Sequence, residues 1–327
     1  MQDHPTRFSA ETLAIDADAE IERLAAWLRE QLRVSVRRRG LVLGLSGGID
    51  SSVCAGLAAR AVGPRNVFCL FMPESDSDPE SLRLGRLVAE TFGLESVVED
   101  IAPALAAVGC YERRDGFIRQ VEPAYGAGWS SKIVIDGPLV TGGYNVSSLV
   151  VGGPDGETRN HRLPAPVYQG IVAATNMKQR TRKQLEYYHA DRLNYAVVGT
   201  PNRLEYDQGF FVKNGDGAAD IKPIAHLYKS QVYQLAERLG VPEEVRRRPP
   251  TTDTYSLPQT QEEFYFALPY DKMDLCLHGL DHALPVREVA HACGLGEEQV
   301  ERVWTDIAAK RKAARYLHLP PLLCGAL

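Results

Sequence analysis

A short run of small polar residues, Ser46 to Ser52 with the sequence SGGIDSS, has the composition of an anion-binding loop. Glycines let the backbone approach an anion closely, and serine hydroxyls can donate hydrogen bonds to its oxygens. A helix that starts in the run would add the partial positive charge of its N-terminus. The lysine that follows the glycines of a Walker loop is missing, which indicates a different kind of phosphate loop. We predict that a pyrophosphate group is bound by Ser46, Gly47, Gly48, Ser51 and Ser52.

Asp50 lies inside this run, where its negative charge would repel a phosphate. A divalent cation between the two would remove that repulsion, and carboxylate oxygens are ligands that magnesium prefers. Glu205 could supply a second carboxylate, so we predict a magnesium site formed by Asp50 and Glu205. The alternative is a glycine turn that only packs a helix on a sheet. That alternative explains the glycines but not the three serines and the aspartate.

The elements around the run alternate between strand and helix. The apolar patterns predict an amphipathic helix, then strand, helix, strand, helix and strand, over residues 16–39, 41–45, 53–62, 66–72, 78–92 and 94–101. Strands that are apolar on both faces belong in a parallel sheet covered by helices. The sequence therefore predicts an α/β fold with a Rossmann-like, doubly wound parallel sheet.

The alternation stops between residues 105 and 168, where glycines and prolines cluster. A hairpin is predicted there, with strands over 144–151 and 157–163 joined by the turn GGPDG. The segment is too long for an ordinary loop, so we interpret it as an inserted β-rich element or lid within a single domain of residues 1–327. Further helices are predicted over 175–194, 226–239, 285–293 and 297–316, with a short strand over 195–198.

Composition narrows the class of protein. The 327 residues carry a net charge of −5, which argues against a nucleic-acid-binding surface. The six cysteines are scattered without a CxxC pair, so neither a zinc site nor a disulfide framework is expected. No signal peptide and no run of eighteen apolar residues occurs, which predicts a soluble, cytoplasmic protein without membrane contact.

The run SGGIDSS resembles the pyrophosphatase loop of the N-type ATP pyrophosphatases, whose fold is of the adenine nucleotide alpha hydrolase type. Later motifs resemble those of the NAD synthetases within that superfamily. These motifs are Asn176-x-x-x-Arg180-x-Arg182, Gly199-Thr200 with Glu205, Gly209-Phe210-Phe211-x-Lys213-x-Gly215-Asp216-Gly217-x-x-Asp220, Lys229, Pro250-Thr251-Thr252-Asp253 and Tyr270-Asp271-x-x-Asp274. The resemblance covers most of residues 15–104 and 175–275. Tyr228 replaces a threonine of the family pattern.

The resemblance implies an ammonia-dependent amide ligase that uses ATP and Mg²⁺. The carboxylate of nicotinic acid adenine dinucleotide would be adenylated, and ammonia would then displace AMP. The residues implied to bind ATP or its pyrophosphate, beyond the glycine run, are Asp50, Arg180, Thr200, Lys213 and Lys229. Those implied to bind the other substrates are Phe210, Lys213, Asp216 and Asp220. The residues implied to be catalytic are Asp50, Asp220, Lys229 and Glu263.

The roles of Asp220 and Glu263 rest on the resemblance, and the choice of Arg180 rests also on helical spacing. By the resemblance, Asp220 would bind ammonium and accept its proton, and Glu263 would be its second carboxylate, although the segment after Glu263 departs from the family pattern. Arg180 and Arg182 are two residues apart, so on a helix they cannot both face one ligand. We assign Arg180 to the nucleotide and expect Arg182 to be solvated.

Several alternatives stay open from the sequence. The family resemblance implies a homodimer, and the chain has no room for a glutaminase domain, so ammonia would be free or supplied by a separate glutaminase. The inserted segment and the altered acidic segment leave open a ligase of the same family that acts on a different carboxylate. A third possibility is a non-catalytic nucleotide-binding regulator, against which the retained Asp50, Glu205 and Asp220 argue.

Overall fold

A computed structural model describes residues 8–136, 146–252, 254–266 and 268–325. Its central sheet has four parallel strands in the order β3–β2–β1–β7: β1 (Leu41–Gly44), β2 (Val67–Phe71), β3 (Glu95–Val98) and β7 (Ala196–Val197). Leu41 pairs with Val67 on one side and with Ala196 on the other. The order of the strands therefore changes direction beside β1, and ligands of such sheets bind at the carboxyl ends of the strands at that point. The predicted doubly wound parallel sheet is confirmed.

Helices cover both faces of this sheet. In chain order the helices of the described residues are α1 (Ala17–Gln31), α2 (Ile49–Val62), α3 (Pro79–Phe92), α4 (Ala102–Ala107), α5 (Cys110–Ile118), α6 (Ala165–Leu193), α7 (Arg203–Gln208), α8 (Lys229–Leu239), α9 (Glu243–Arg247), α10 (Tyr270–Asp281), α11 (Val286–Cys293) and α12 (Glu297–His318). One apolar core joins α1, α2, α3 and α8 to the sheet, and a second joins α4, α5 and α6 to the opposite face. A five-residue π-helical turn, Leu32–Val36, extends α1. Among the described helices, none is long and apolar enough to cross a membrane.

The inserted segment contains a separate antiparallel sheet, β4 (Ser130–Asp136), β5 (Val146–Gly152) and β6 (Thr158–Arg162), in that order. The predicted hairpin is confirmed, although the first residues of its first strand, 144 and 145, lie outside the described residues. The predicted bounds of the β-rich element were too wide. Residues 102–118 form helices α4 and α5, and α6 begins at Ala165, ten residues before the predicted start. The prediction rested on clustered glycines and prolines, but proline is well tolerated in the first turn of a helix, which is where α6 contains Pro166.

The C-terminal third departs most from the sequence pattern. Helix α10 was not predicted, whereas α12 begins at the predicted residue and ends two residues later than predicted, at His318. These helices pack with α7 and α11 around a core of their own. The buried Asp274 of α10 accepts hydrogen bonds from the backbone N–H groups of Lys229 and Ser230, at 3.2 and 2.7 Å. Asp274 therefore fixes the start of α8, and with it the position of Lys229.

Candidate active site

A cavity of about 770 Å³ opens at the carboxyl ends of β1 and β2, where the sheet changes direction. The predicted glycine turn forms part of its wall, together with residues that follow β7 and the first residue of α8. The predicted site residues that line it are Ser46, Gly48, Asp50, Ser51, Thr200, Glu205, Phe210, Asp216 and Lys229. Residues from distant parts of the sequence thus meet in one site.

The glycine turn has a backbone that requires glycine at one position. Gly47 has a φ of +73°, and a Cβ atom there would lie 2.6 Å from the carbonyl oxygen of Ser81. Ser51 and Ser52 donate hydrogen bonds from their hydroxyls to the carbonyl oxygen of Gly48, at 3.0 and 2.8 Å. Gly47 and the buried Ser52 therefore shape the turn without lining the cavity.

Helix α2 begins at this turn, and no described side chain caps its N-terminus. The first N–H groups of a helix have no partner within the helix, and they carry the positive end of its dipole. The turn and the start of α2 together form a cradle for an anionic group.

Three charged groups meet beside this cradle. The Nζ atom of Lys229 makes an ion pair with Oδ2 of Asp50, with the two side chains 1% and 15% exposed. Asn202 donates from Nδ2 to the other oxygen of Asp50 at 3.1 Å. The same asparagine caps α7: its side chain accepts from the backbone N–H of Glu205 at 3.2 Å, while Glu205 accepts from the backbone N–H of Asn202 at 3.0 Å. The cap thus brings Glu205 to the Asp50–Lys229 pair.

The electrostatics of this cluster follow from burial and proximity. Burial raises the pKa of Glu205 well above its ordinary value, and the negative charge of Asp50 raises it further, while Lys229 opposes the change. Burial alone would lower the pKa of Lys229, but the charges of Asp50 and Glu205 outweigh it and raise that pKa. When both acids are ionised, the two carboxylates and one lysine carry an excess of negative charge, which a divalent cation would neutralise.

The donor set fits the predicted magnesium ion. Asp50 and Glu205 supply carboxylate oxygens, the hard ligands that Mg²⁺ takes, and both line the cavity next to the anion cradle. Magnesium keeps several waters and commonly binds through one or two carboxylates and substrate phosphates, so two protein carboxylates suffice. Within the described residues no cluster of three or more potential metal-binding side chains occurs.

A second polar group lies deeper in the cavity wall. Lys183 and Glu186 of α6 form an ion pair of 2.5 Å, with side chains 7% and 8% exposed. Asp216 also lines the cavity, and burial raises its pKa although the backbone N–H of Val212 donates to it at 2.7 Å. Lys183 lowers that pKa in turn, which indicates that Asp216 and the Lys183–Glu186 pair interact.

Five predicted site residues do not line the cavity through their side chains as expected. Lys213 donates from Nζ to the carbonyl oxygens of Tyr316 and Leu319, at 2.8 and 3.0 Å. Arg180 donates to the carbonyl oxygen of Lys213 at 3.2 Å. The positions of the five are as follows: Arg180 and Lys213 lie towards the end of α12, Asp220 is exposed beside β7, Glu263 pairs with Lys132 of β4, and Ser52 lies inside α2.

Asp220 has a structural role in its observed position. Its Oδ2 atom accepts from the backbone N–H of Val197 at 2.8 Å, and its Oδ1 atom accepts from the Tyr187 hydroxyl at 3.4 Å. These bonds attach the segment after the Gly215–Gly217 turn to the short edge strand β7. Glu263 is about half exposed and faces the inserted sheet, with 3.1 Å between its Oε2 atom and Nζ of Lys132.

Some residues that line the cavity, or that position its side chains, were not predicted as site residues. Arg182, expected to be solvated, lines the cavity and donates to the carbonyl oxygen of Met72 at 3.2 Å. Lys183, Glu186 and Asn202 were not identified at all. A signal for Asn202 was present in the sequence, because Asn followed three residues later by Glu is the pattern of a capping box.

Comparisons with known proteins identify the family of the chain. The family model described as NAD synthase matches residues 20–118 and 163–315. The NH(3)-dependent NAD(+) synthetase of Rhizobium meliloti (strain 1021) is 74% identical over 316 residues, covering 97% of this chain and 94% of that protein. The protein of the same name from Rhizobium rhizogenes (strain K84 / ATCC BAA-868) is 72% identical over 315 residues, covering 96% and 95%.

A solved structure extends the comparison to the fold. NMN synthetase from Francisella tularensis matches with a TM-score of 0.65 at 22% identity, covering 95% of this chain and 99% of that one. The residues matched by the family model include the glycine turn, Glu205 and Lys229, and they leave out residues 119–162 with the inserted sheet. The chain belongs to the NAD synthase family, and it is a ligase that forms a carbon–nitrogen bond.

Proposed function

We propose that this chain is an ammonia-dependent NAD synthetase, which converts nicotinic acid adenine dinucleotide, ATP and ammonia to NAD, AMP and pyrophosphate. The observation that carries the proposal is the buried Asp50–Lys229 pair, with Glu205 beside it, in the cavity next to the glycine turn. Positive and negative groups are both needed there, because two anionic substrates must be brought together. The names of the rhizobial relatives support the choice of substrates.

In the first step, an oxygen of the substrate carboxylate attacks the α-phosphorus of ATP, and the bond to the pyrophosphate breaks. The turn from Ser46 to Ser51 and the N-terminus of α2 bind the departing pyrophosphate through N–H and hydroxyl groups. Lys229 adds a positive charge that stabilises the charge developing on that leaving group. Asp50 and Glu205 would hold a magnesium ion, which would supply charge neutralisation at the phosphates.

In the second step, ammonia attacks the acyl carbon of the adenylate, and AMP leaves. Only neutral ammonia has a free electron pair, so a group in the cavity must accept a proton from ammonium. We assign this role to Asp216, because it lines the cavity and burial raises its pKa. The assignment replaces Asp220, which is exposed and bonded to Val197.

A matched pair of variants tests this assignment. Asp216→Asn should raise the KM for ammonium at least tenfold and should change the pH dependence of kcat/KM. Asp220→Asn should leave the KM for ammonium within twofold and should mainly lower thermal stability, because it weakens the bond to the N–H of Val197. A large ammonium defect in Asp220→Asn alone would return the role to Asp220.

The overall reaction is tested with the purified chain, ATP, Mg²⁺ and an ammonium salt. NAD and AMP should form in equal amounts from nicotinic acid adenine dinucleotide, and a chelator should stop the reaction until Mg²⁺ is added back. Nicotinic acid mononucleotide and simpler carboxylates serve as competing substrates. AMP release with one of these acids, but not with the dinucleotide, would favour a different carboxylate. Pyrophosphate release that survives Asp50→Ala would contradict the proposed site.

The same proposal includes the setting of the reaction. We propose a homodimer in the cytoplasm that uses free ammonia or ammonia delivered by a separate glutaminase. Light scattering on the purified chain measures the oligomeric state, and a mass of one chain would exclude the dimer. Glutamine without added glutaminase should give no NAD, whereas an ammonium salt should restore the reaction.

A further inference from the structure

One side of the cavity is formed by a segment between α9 and α10, residues 249–265, which we term the wall segment. Its cavity-lining members include Thr251, Thr252, Tyr255, Phe264 and Tyr265. The described part of this segment has only an isolated bridge between Thr251 and Thr260 and a π-helical turn, Glu262–Phe266. Such a segment has few backbone bonds of its own, so its order depends on what it packs against.

The inserted sheet supplies that support through three consecutive residues of β4. The backbone N–H of Ser131 donates to Oγ of Ser256 at 2.9 Å, and the N–H of Leu257 donates back to the carbonyl oxygen of Ser131 at 3.2 Å. Lys132 donates from Nζ to the carbonyl oxygen of Pro258 at 3.1 Å. Gln259 donates from Nε2 to the carbonyl oxygen of Ile133. The wall segment is thus bonded along the edge of the inserted sheet.

Gln259 connects this support directly to the cavity. It is 4% exposed, and while its Nε2 atom donates to β4, its Oε1 atom accepts from the hydroxyl of Thr252 at 3.1 Å. Thr252 lines the cavity. The apolar side chains of Tyr255 and Phe264 pack in the core of the inserted sheet, which adds to the same attachment.

The wall segment also begins next to the phosphate cradle. Arg248, which precedes it, donates to Oγ of Ser81 at 3.1 and 3.2 Å. The carbonyl oxygen of Ser81 is the atom that leaves no room for a side chain at Gly47. Displacement of the wall segment would therefore disturb the residues around the proposed ATP site.

From these contacts we propose that the inserted sheet positions the wall segment for nucleotide binding, with Gln259 as the positioning residue. The inference rests on the proposed function, since it treats the cavity as the ATP site. Residues 119–162 lie outside the match to the NAD synthase family model, so this support is an addition to the part of the chain that the model matches. Gln259 touches no reacting atom; it acts through Thr252 and the rest of the wall.

The expected effect on ATP binding depends on the fraction of molecules in which the wall segment is ordered. If the wall is ordered in only a fraction of molecules, the apparent affinity for ATP falls by that fraction. Loss of one buried hydrogen bond, with the carbonyl of Ile133 left unpaired, changes such an equilibrium by about tenfold. Because the reaction starts from molecules in which the wall is ordered, kcat should change little.

Four variants test the proposal. Gln259→Met keeps the length of the side chain but removes both bonds, while Ser256→Ala and Lys132→Met weaken the attachment to β4 without touching Thr252. Glu157→Gln, on the exposed turn of the inserted hairpin, is the matched control. For each variant we would measure the KM for ATP, kcat, the Kd of a non-hydrolysable ATP analogue with Mg²⁺, and hydrogen exchange across residues 249–265.

Gln259→Met should raise the KM and the Kd about tenfold with kcat within twofold, and Ser256→Ala and Lys132→Met should raise both about two- to fivefold. Exchange should quicken in residues 249–265 and stay unchanged in 41–62, and Glu157→Gln should match the parent. An effect of Gln259→Met without any effect of Ser256→Ala and Lys132→Met would overturn the role of the inserted sheet. If the parent makes no NAD, the proposed function fails, but the analogue Kd and the exchange rates still decide the positioning role. If Gln259→Met does not fold, the other two variants decide it.

Discussion

Replacing Lys229 with methionine should destabilise the chain by about 3 kcal/mol in the absence of Mg²⁺. Lys229 is fully buried, and its partner Asp50 has a side chain that is 15% exposed. Removing one partner of a buried ion pair costs about 3–5 kcal/mol, because the remaining charge stays buried without compensation. Since Asp50 faces the cavity and also keeps its bond from Asn202, we take the lower end of that range.

A double-mutant cycle measures the interaction energy between Asp50 and Lys229. Asp50→Asn and Lys229→Met are made singly and together, and unfolding in urea is followed at constant pH without Mg²⁺. The double variant carries no unpaired charge at these positions, so it should be more stable than Lys229→Met alone, with a coupling energy of about 2 kcal/mol. Lys312→Met, at an exposed position of α12, serves as the control and should behave as the parent.

Measurements of activity test the catalytic role of Lys229 separately from its effect on stability. The kcat of Lys229→Met should fall at least 100-fold, which corresponds to about 3 kcal/mol of transition-state stabilisation. The stability reasoning is refuted if Lys229→Met unfolds at the same urea concentration as the parent and the coupling energy is zero within error. Nearly full activity of Lys229→Met would refute its role at the leaving pyrophosphate.

Three further predictions concern single sites. Gly47→Ala should lower thermal stability and raise the KM for ATP, because the new Cβ would meet the carbonyl oxygen of Ser81; a parent-like melting temperature would show that the turn can adjust. Arg182→Met should raise the KM for ATP about tenfold while Arg180→Met changes it less than twofold, and the reverse result would restore Arg180 to the nucleotide site. Burial raises the pKa of Asp274 from 3.8 to about 6, so the folded state binds a proton more tightly and loses stability as the pH rises from 4 to 6. In Asp274→Asn, the change in the free energy of unfolding between pH 4 and 6 should be smaller by up to about 3 kcal/mol. An unchanged pH profile would contradict the assignment of this titration to Asp274.

The parts of the fold that could be predicted are those whose signal is local. Continuous apolar runs predicted β1 and β2, and the run SGGIDSS predicted the glycine turn between β1 and α2 that borders the cavity. The family, the α/β fold class and the ligase activity are confirmed. The start of α6 and the whole of α10 were missed although both stretches are rich in apolar residues. Each begins directly after a proline, Pro164 or Pro269, which is the N-cap residue in the structure. Those helices are stabilised by tertiary contacts, such as the bonds from Asp274 to the start of α8.

The sequence does not determine whether Arg180 or Arg182 faces the cavity. Helical spacing establishes that the two side chains leave α6 in different directions, but not which direction faces the cavity. That depends on how α6 packs against the sheet, and Arg182 is the one that reaches the carbonyl oxygen of Met72 just after β2. Arg180 is directed to the carbonyl oxygen of Lys213 instead.

Asp216 and Asp220 pose the same problem within a single motif. Both are acidic, both follow the same pair of phenylalanines, and nothing in their spacing separates a proton acceptor from a structural residue. The turn between them separates the two, because Asp216 accepts from Val212 inside the turn and faces the cavity, while Asp220 reaches back to the edge strand. An acid that must change its protonation state benefits from burial, whereas one that only accepts a backbone hydrogen bond can stay exposed. The two positions in the fold therefore support the different roles that we propose for side chains that the motif leaves equivalent.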